Sequence, residues 1–513
     1  MATDVIVRPA GARAVLLELD NLEQVAAWRE AVAGLVAGSL LASPADVVPG
    51  ARTLLLDGVD PAAVRRALAG LGTPAAVVDR PDAPPVEVPV VYDGADLAEV
   101  AQLWGVSERE VVARHTGTQF RVAFCGFAPG FPYLVGLDRQ VPRRPTPRPS
   151  VPAGSVGLAG RYCGIYPTSS PGGWQLLGTT AVPLFDVSRD PPALLPPGSR
   201  VHFVETSGPS RPSAPARETA VSDRPAGRSL TVLRGGALTT VQDAGRPGFA
   251  HLGVPRAGAL DAPAARLGNR LVGNPEAAAV LETTVDGVRL RAATTVTVAV
   301  TGAQAPLTVD GRAAPWGVAV GLPPGGVLDV GPATAGVRSY VAVAGGIALP
   351  PVLGSRSRDT LSGLGPSPLS AGDLLPVGRP SGPVPAVDFT VPAAAPQPVV
   401  LRLLPGPRDD WFGAAGLAAL WSATYEVSPL SNRVGVRLTG PPVPQLREGE
   451  LESEGVAFGA VQVPPDGQPV VLLADHPTTG GYPVVGLVDP RDLAGLAQAR
   501  PGTTVCFVPD RSR

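Results

Sequence analysis

The sequence predicts a mainly β protein with a small α+β domain at its N-terminus and several β-rich domains behind it. Three observations carry this. Gly 62 and Pro 61 make up nearly a quarter of the 513 residues, yet 44% are hydrophobic and no low-complexity run appears. Many turns joining short strands fit that composition better than disorder. Apolar residues alternate at Val296, Val298 and Val300, and at Val341 and Val343, as in strands with one buried face. By contrast, the first stretch of the chain mixes strands with helical periodicity.

Val5–Val7 and Ala14–Leu19 read as strands, Leu22–Leu35 as an amphipathic helix and Thr53–Leu56 as a third strand. Asp60 followed by Pro61 marks a helix start running to about Leu71: Asp accepts from free N–H groups, and Pro has none to waste there. Pro81–Pro85 closes this domain, residues 1–84. Val86–Val91 opens a new pattern. Asp96 starts a helix that Gly105 stops, and Ser107-x-x-Glu110 is a capping box opening a second that ends near His115. From Gln119 to Glu205, short strands between Gly/Pro turns predict a closed barrel or sandwich, residues 85–206.

Residues 207–228 are rich in Pro, Ser, Ala and Arg without periodicity, and read as a linker. Two further β domains follow, 229–390 and 391–513, with a break near Pro380–Pro398. Asp261 caps a helix through Leu271, and Asn274-Pro275 predicts another toward Glu282. The chain also echoes itself. PTSSPGGWQLLG (Pro167–Gly178) and HPTTGGYPVVG (His476–Gly486) both run hydroxyl-rich, Gly-Gly-aromatic, then apolar; GSVGLAG (Gly154–Gly160) matches EGVAFGAV (Glu454–Val461). One barrel type used repeatedly would do this.

Charged residues are 17% with a net charge of -2, so no basic face marks a nucleic-acid binder. No apolar run reaches membrane-span length. MATDVIVRPAGAR lacks a signal-peptide core, and Cys125, Cys163 and Cys506 lie far apart, which suits unpaired thiols. A cytoplasmic protein is the expectation. Lysine is absent: all 42 basic residues are Arg. That excludes a Walker A lysine, a Schiff base, a biotinylated lysine and a Ser-Ser-Lys amidase centre from this chain. Anions must be held by Arg, backbone N–H groups or a metal. The four His lack metal-site spacing, and neither GxGxxG in a strand–helix context nor GxSxG occurs.

Thr240–Asn274 concentrates hydrogen-bonding side chains in a Gly-rich loop, the usual place for a site. Gln242, Asp243, Arg246 and His251 have no evident structural reason there, whereas Asp261 and Asn274 do. His251, between Arg246 and Arg256, is a general acid/base candidate, as is His476 beside Asp475. His202 reads as structural, and His115 as a helix C-terminal cap whose protonated form the macrodipole favours. FRVAFCGFAPGFPY (Phe120–Tyr133) is either an aromatic plug or a place where Gly126 and Gly130 let a ligand approach. Arg143, Arg144 and Arg148, stiffened by prolines, would suit a carboxylate or phosphate, against the alternative of a solvated loop.

GFAPGFPYLVGLD (Gly126–Asp138) and PRPSVPAGSVGLAGRYCGIYPTSSPGGWQLLG (Pro147–Gly178) resemble the family of the 5-oxoprolinase B subunit, also called allophanate hydrolase subunit 1 or the Kip-inhibitor family. TTVQDAGRPGFAHLGVPRAGALD, NRLVGN, LETT, SNRVGVRLTGP and TTGGYP resemble the 5-oxoprolinase C subunit, also called allophanate hydrolase subunit 2 or the biotin-dependent carboxyltransferase family. The resemblance implies cyclophilin-like β-barrels, one in the first half and two in the second. It implies ATP-dependent activation of 5-oxoproline, by phosphorylation, for ring opening to L-glutamate by a separate 5-oxoprolinase A subunit (LamB/YcsF-like). ATP would be a co-substrate, with Mg as a candidate companion and no biotin attached to this chain.

Two other roles follow from the same resemblance: the carboxyltransferase part of a urea carboxylase-like biotin system, and inhibition of a sensor histidine kinase. A homo-oligomer is compatible with any of the three. The expected site is the seam between the halves. Asp243, His251 and Gln242 would be catalytic, and Arg246, Arg148, Ser155, Thr478 and Thr479 would hold substrate, with Arg148 and Ser155 facing Asp243, Arg246 and His251. The family often has Arg-Gln where this chain has His476-Pro477, so no role is carried over to position 476.

Overall fold

The computed structural model describes residues 5–72, 74, 84–208, 227–387, 390–391, 397–447, 449 and 451–510. Most of the expected linker, and parts of the expected breaks at 81–85 and 380–398, lie outside the described residues.

The N-terminal unit is a four-stranded antiparallel sheet in the order Ile6–Pro9, Ala14–Glu18, Thr53–Asp57, Asp46–Pro49. Asp46–Pro49 was not anticipated, being a short edge strand ending in proline. Both faces of the sheet are buried. Val15, Leu17, Leu54 and Leu56 pack under the helices Leu22–Ala37 and Pro61–Ala69 with Trp28, Val32 and Val64. The intervening Leu16, Val48 and Leu55 pack instead against Val456, Ala460 and Leu487, at the far end of the chain. Burial on two faces is why these strands read as unbroken apolar runs rather than alternating ones. Asn21 and Asp60 cap the two helices, accepting from Gln24 N (2.9 Å) and Ala62 N (3.0 Å).

The second unit is a seven-stranded sheet rolled nearly shut: its outer strands, Gln175–Thr179 and Val86–Val90, meet through a bridge between Val91 and Thr179. The last unit is a closed seven-stranded barrel. The two share a plan that accounts for the sequence echo. In each, the first strand pairs in parallel with the last: Val86–Val90 with Arg200–Glu205, and Val399–Pro405 with Thr504–Pro509. In each, the Gly-Gly segment forms a small outlying ladder and then a bulged antiparallel pair. Between them, a six-stranded and a five-stranded sheet enclose Leu230, Val241, Leu290, Val298, Val341 and Leu375.

Two local expectations are corrected. No helix follows Asn274-Pro275; a turn leads into the strand Val280–Thr284. Asn274 ties that turn by donating to Asn269 Oδ1 (3.1 Å) and Val343 O (2.8 Å) and accepting from Gly345 N (2.8 Å). His115 is in the last helical turn as expected, but it is fully buried under Phe120 and Phe203, its ring nitrogens 2.7 Å from Tyr92 Oη and 3.3 Å from Cys163 Sγ. Burial lowers its pKa to about 3, so desolvation outweighs the helix dipole and the ring is neutral.

That gives a stability signature. Below about pH 6.5 the unfolded chain protonates this histidine while the folded chain does not, so stability is lost as pH falls from there toward about 3. Between pH 7 and 5 the wild type should lose roughly 2 kcal/mol more than His115→Gln in urea unfolding followed by tryptophan fluorescence. Parallel losses in the two proteins would refute a neutral buried His115.

Candidate functional site

A cavity of about 420 Å³ lies where three units meet. Asp46, Val48, Leu55 and Asp57 come from the N-terminal sheet; Gln242, Asp243 and Arg256–Ala259 from the Gly-rich loop; Val456–Phe458, Ala474, His476 and Thr478 from the last barrel. The seam is thus between the halves as expected, but the small α+β unit, not the first barrel, contributes the first half's lining.

The loop is held by long-range polar contacts. Asp243 accepts from Ser355 Oγ (2.6 Å), Ser357 Oγ (2.6 Å), Gly245 N (2.8 Å) and Arg356 N (2.6 Å). Arg246 is almost wholly buried, donating to Ser357 O and to Val352 O (3.4 Å). From the other side, Asp46 accepts from Gly248 N (2.8 Å) and Ala250 N (3.3 Å), and pairs with Arg256 at 3.0 Å. Behind the cavity, Arg433 donates twice to Asp475 (both 2.9 Å), to Gly258 O (2.8 Å) and to Glu282. Burial works against its charge, but the two carboxylates prevail and raise its pKa.

Inside, Arg256 also lies 3.4 Å from Asp57. Burial raises the Asp57 pKa despite that partner. His476 is only 8% exposed, and burial lowers its pKa against the pull of the Pro477 carbonyl and Asp57. Its Nδ1 lies 2.8 Å from Pro477 O. A carbonyl can only accept, so Nδ1 carries the proton and neutral His476 presents Nε2 as an acceptor. Among the described residues no partner takes that Nε2. Gln242 donates Nε2 to Thr240 Oγ1 (3.0 Å) and Arg358 O (2.9 Å), which fixes its amide orientation and leaves Oε1 buried without a partner. Thr478 Oγ1 is likewise buried and unpartnered.

The structure brings Gln242, Asp243, His476 and Thr478 together at this cavity and leaves the other candidates elsewhere. The reading of Gln242, Asp243, Arg246 and His251 as lacking structural reasons is corrected: Asp243 and Arg246 fasten the loop, and Gln242 Nε2 is committed. His251 does not line the cavity; burial, with Arg29 nearby, lowers its pKa. Arg148 is bound to Asp96 at 2.6 Å beside Arg144, and Ser155 is buried in a barrel strand, so neither faces Asp243. Thr479 Oγ1 accepts from Phe127 N (3.0 Å), bracing the first barrel against the last. Gly126 is what allows this, since a Cβ there would stand 2.2 Å from that oxygen. Gly126 therefore admits a protein side chain rather than a ligand, and Phe124, Phe131 and Tyr133 form an aromatic core with Tyr166 and Trp174. Asp46 and Asp57 were missed, an acid opening or ending an apolar strand being their only sequence signal, and Arg256 was named only as a neighbour of His251.

Arg433→Leu should cost about 3–5 kcal/mol, because it leaves Glu282 and Asp475 buried without a counter-charge. Arg433→Lys should recover only part of this, since an ammonium cannot form the fork. Thermal melts of the three proteins test the point, and an unchanged melting temperature in Arg433→Leu would show that the network braces nothing.

Residues 252–509 match the model of the carboxyltransferase domain, subdomain A and B, and residues 5–195 that of subdomain C and D. The 5-oxoprolinase C subunit of Escherichia coli (strain K12) is 38% identical over 286 residues, covering 54% of this chain and 90% of that protein. The 5-oxoprolinase B subunit of Escherichia coli O157:H7 is 54% identical over 124 residues, covering 23% of this chain and 57% of that protein. Urea amidolyase of Lachancea kluyveri is 32% identical over 310 residues, covering 55% of this chain but 17% of that protein. The crystal structure of TTHA0988 superposes with a TM-score of 0.86 at 40% identity, covering 97% of this chain and 99% of that one. The described helices include none long and apolar enough to cross a membrane. With both halves matched and the whole architecture shared, the chain belongs to the carboxyltransferase-domain family, with regions of the 5-oxoprolinase B-type and C-type joined in one polypeptide.

Proposed function

We propose that this chain is the fused B–C component of an ATP-dependent 5-oxoprolinase, activating the lactam of 5-oxoproline for ring opening by a separate A component. The observation that carries the reading is the seam cavity itself, built from both halves at once. Its walls are largely apolar, with His476 Nε2 left without a protein partner among the described residues. Such an acceptor complements the N–H of an amide. Arg266, exposed beside the cavity, makes no hydrogen bond or ion pair with a described residue and would suit the carboxylate of 5-oxoproline.

A lactam is a poor electrophile, and phosphorylating its oxygen creates a leaving group. Within the cavity Arg256 is already shared between Asp46 and Asp57. It has little left for a polyphosphate, so ATP and any magnesium with it would meet the amide from the cavity's mouth. The names of the relatives fit a multi-component enzyme, and the cytoplasm is the proposed location.

The full chain, mixed with ATP, 5-oxoproline and the 5-oxoprolinase A component, should yield glutamate and ADP, with ADP release dependent on 5-oxoproline. ADP release indifferent to 5-oxoproline would end this reading. Urea-dependent carboxyl transfer from a biotinylated carrier would establish the carboxyltransferase role instead, and inhibition of a sensor kinase with neither activity a binding role.

A further inference from the structure

Activating the lactam requires a group that takes its proton. Capture of the carbonyl oxygen by an electrophile turns C–N toward C=N, and the N–H proton must leave. The His476 imidazole lines the cavity and is basic enough to take it. Its tautomer is set by the Pro477 carbonyl, 2.8 Å from Nδ1, so the basic nitrogen is the one left without a protein partner. Its position is fixed by Asp475, immediately before it, which is clamped by Arg433 and by Thr360 N and Oγ1 (2.9 and 2.7 Å). His476 N also donates to Leu473 O (3.1 Å). The charged groups around it are Asp57 and Asp46 from the N-terminal sheet and Arg256 from the loop.

We propose that His476 is the general base of this site, removing the amide proton of the substrate. In the step, the N–H bond breaks and its proton moves to His476 Nε2. The N–H electron pair forms C=N, and the carbonyl oxygen bonds to the γ-phosphorus of ATP as ADP departs. Asp57 stabilises the imidazolium formed. The assignment rests on the amide-activating role given above.

The test is the pH profile of kcat for 5-oxoproline with the full chain, ATP and the 5-oxoprolinase A component, in wild type and His476→Gln. Neutral imidazole is the working form, so the wild-type rate should fall as pH drops through a value below histidine's usual ~6.5. His476→Gln should lose about 10²–10⁴-fold in kcat, with little change in KM, and its acid limb should vanish. A variant with wild-type kcat, or one that keeps the acid limb, overturns the assignment. A second readout needs no turnover, so failure of the oxoprolinase reading is distinguishable from failure of the base. In ¹⁵N-histidine-labelled full chain, 2-pyrrolidone should shift the His476 Nε2 resonance, and N-methyl-2-pyrrolidone, lacking the N–H, should not. Equal shifts, or none, refute an N–H contact with His476.

Discussion

The arrangement of this molecule turns on one buried guanidinium. Arg433 has left water almost completely, and a charge in that position is tolerable only if several partners surround it. Those partners come from three segments: Asp475 from the last barrel, Glu282 from the five-stranded sheet, and Gly258 O from the Gly-rich loop. Glu282 in turn accepts from Tyr340 Oη (2.9 Å) and Leu260 N (3.0 Å), and Tyr340 Oη accepts from Asp261 N (2.8 Å), whose carboxylate caps the following helix. A network of this kind is satisfied as a whole or costs heavily in part. Its consequence is geometric: loop, sheet and barrel are held in one register, and the cavity residues Arg256 and His476 lie close in sequence to the clamped Gly258 and Asp475.

The N-terminal unit completes the cavity by a different physics. Its sheet is apolar on both faces, so it cannot stand alone with helices on one side only. The open face is covered by the last barrel through Val48, Leu55, Val456 and Leu487, with Arg408 bridging Glu18 (3.0 Å) and Glu454 (2.7 Å) at the edge. Docking places Asp46 and Asp57 against the Gly-rich loop. The chain's first unit and its last are therefore neighbours in space. Joining the B-type and C-type halves covalently raises the effective concentration of one for the other, which favours a site that exists only when they meet.

What the sequence made legible was mostly local. Helix caps at Asp60, Ser107 and Asp261 needed only a few residues of context, and the repeated Gly-Gly segments revealed a shared barrel plan. The Gly-rich stretch was recognisable as important because it carries more polar side chains than a turn needs. The roles of those side chains were not legible, because their partners are remote in sequence. The serines that engage Asp243 are 112 and 114 residues downstream, and Asp96, which occupies Arg148, is 52 residues upstream. A loop residue without a local partner looks available for chemistry, and only the tertiary structure shows that it is committed. The converse error hid Asp57 and Asp46: as acids flanking apolar strands in another unit, they resembled ordinary strand ends.

The same docking that forms the cavity also sets its chemistry. Taking Asp57 and His476 out of water moves their pKa values toward each other, the acid upward and the base downward. Each shift favours the uncharged form, as desolvation must. Arg256 nearby opposes the rise at Asp57, while the Pro477 carbonyl keeps the imidazole in a single tautomer. The docking of the N-terminal unit is also what brings Asp57 and His476 to one cavity. The seam therefore assembles the pair and shifts both groups toward their uncharged forms.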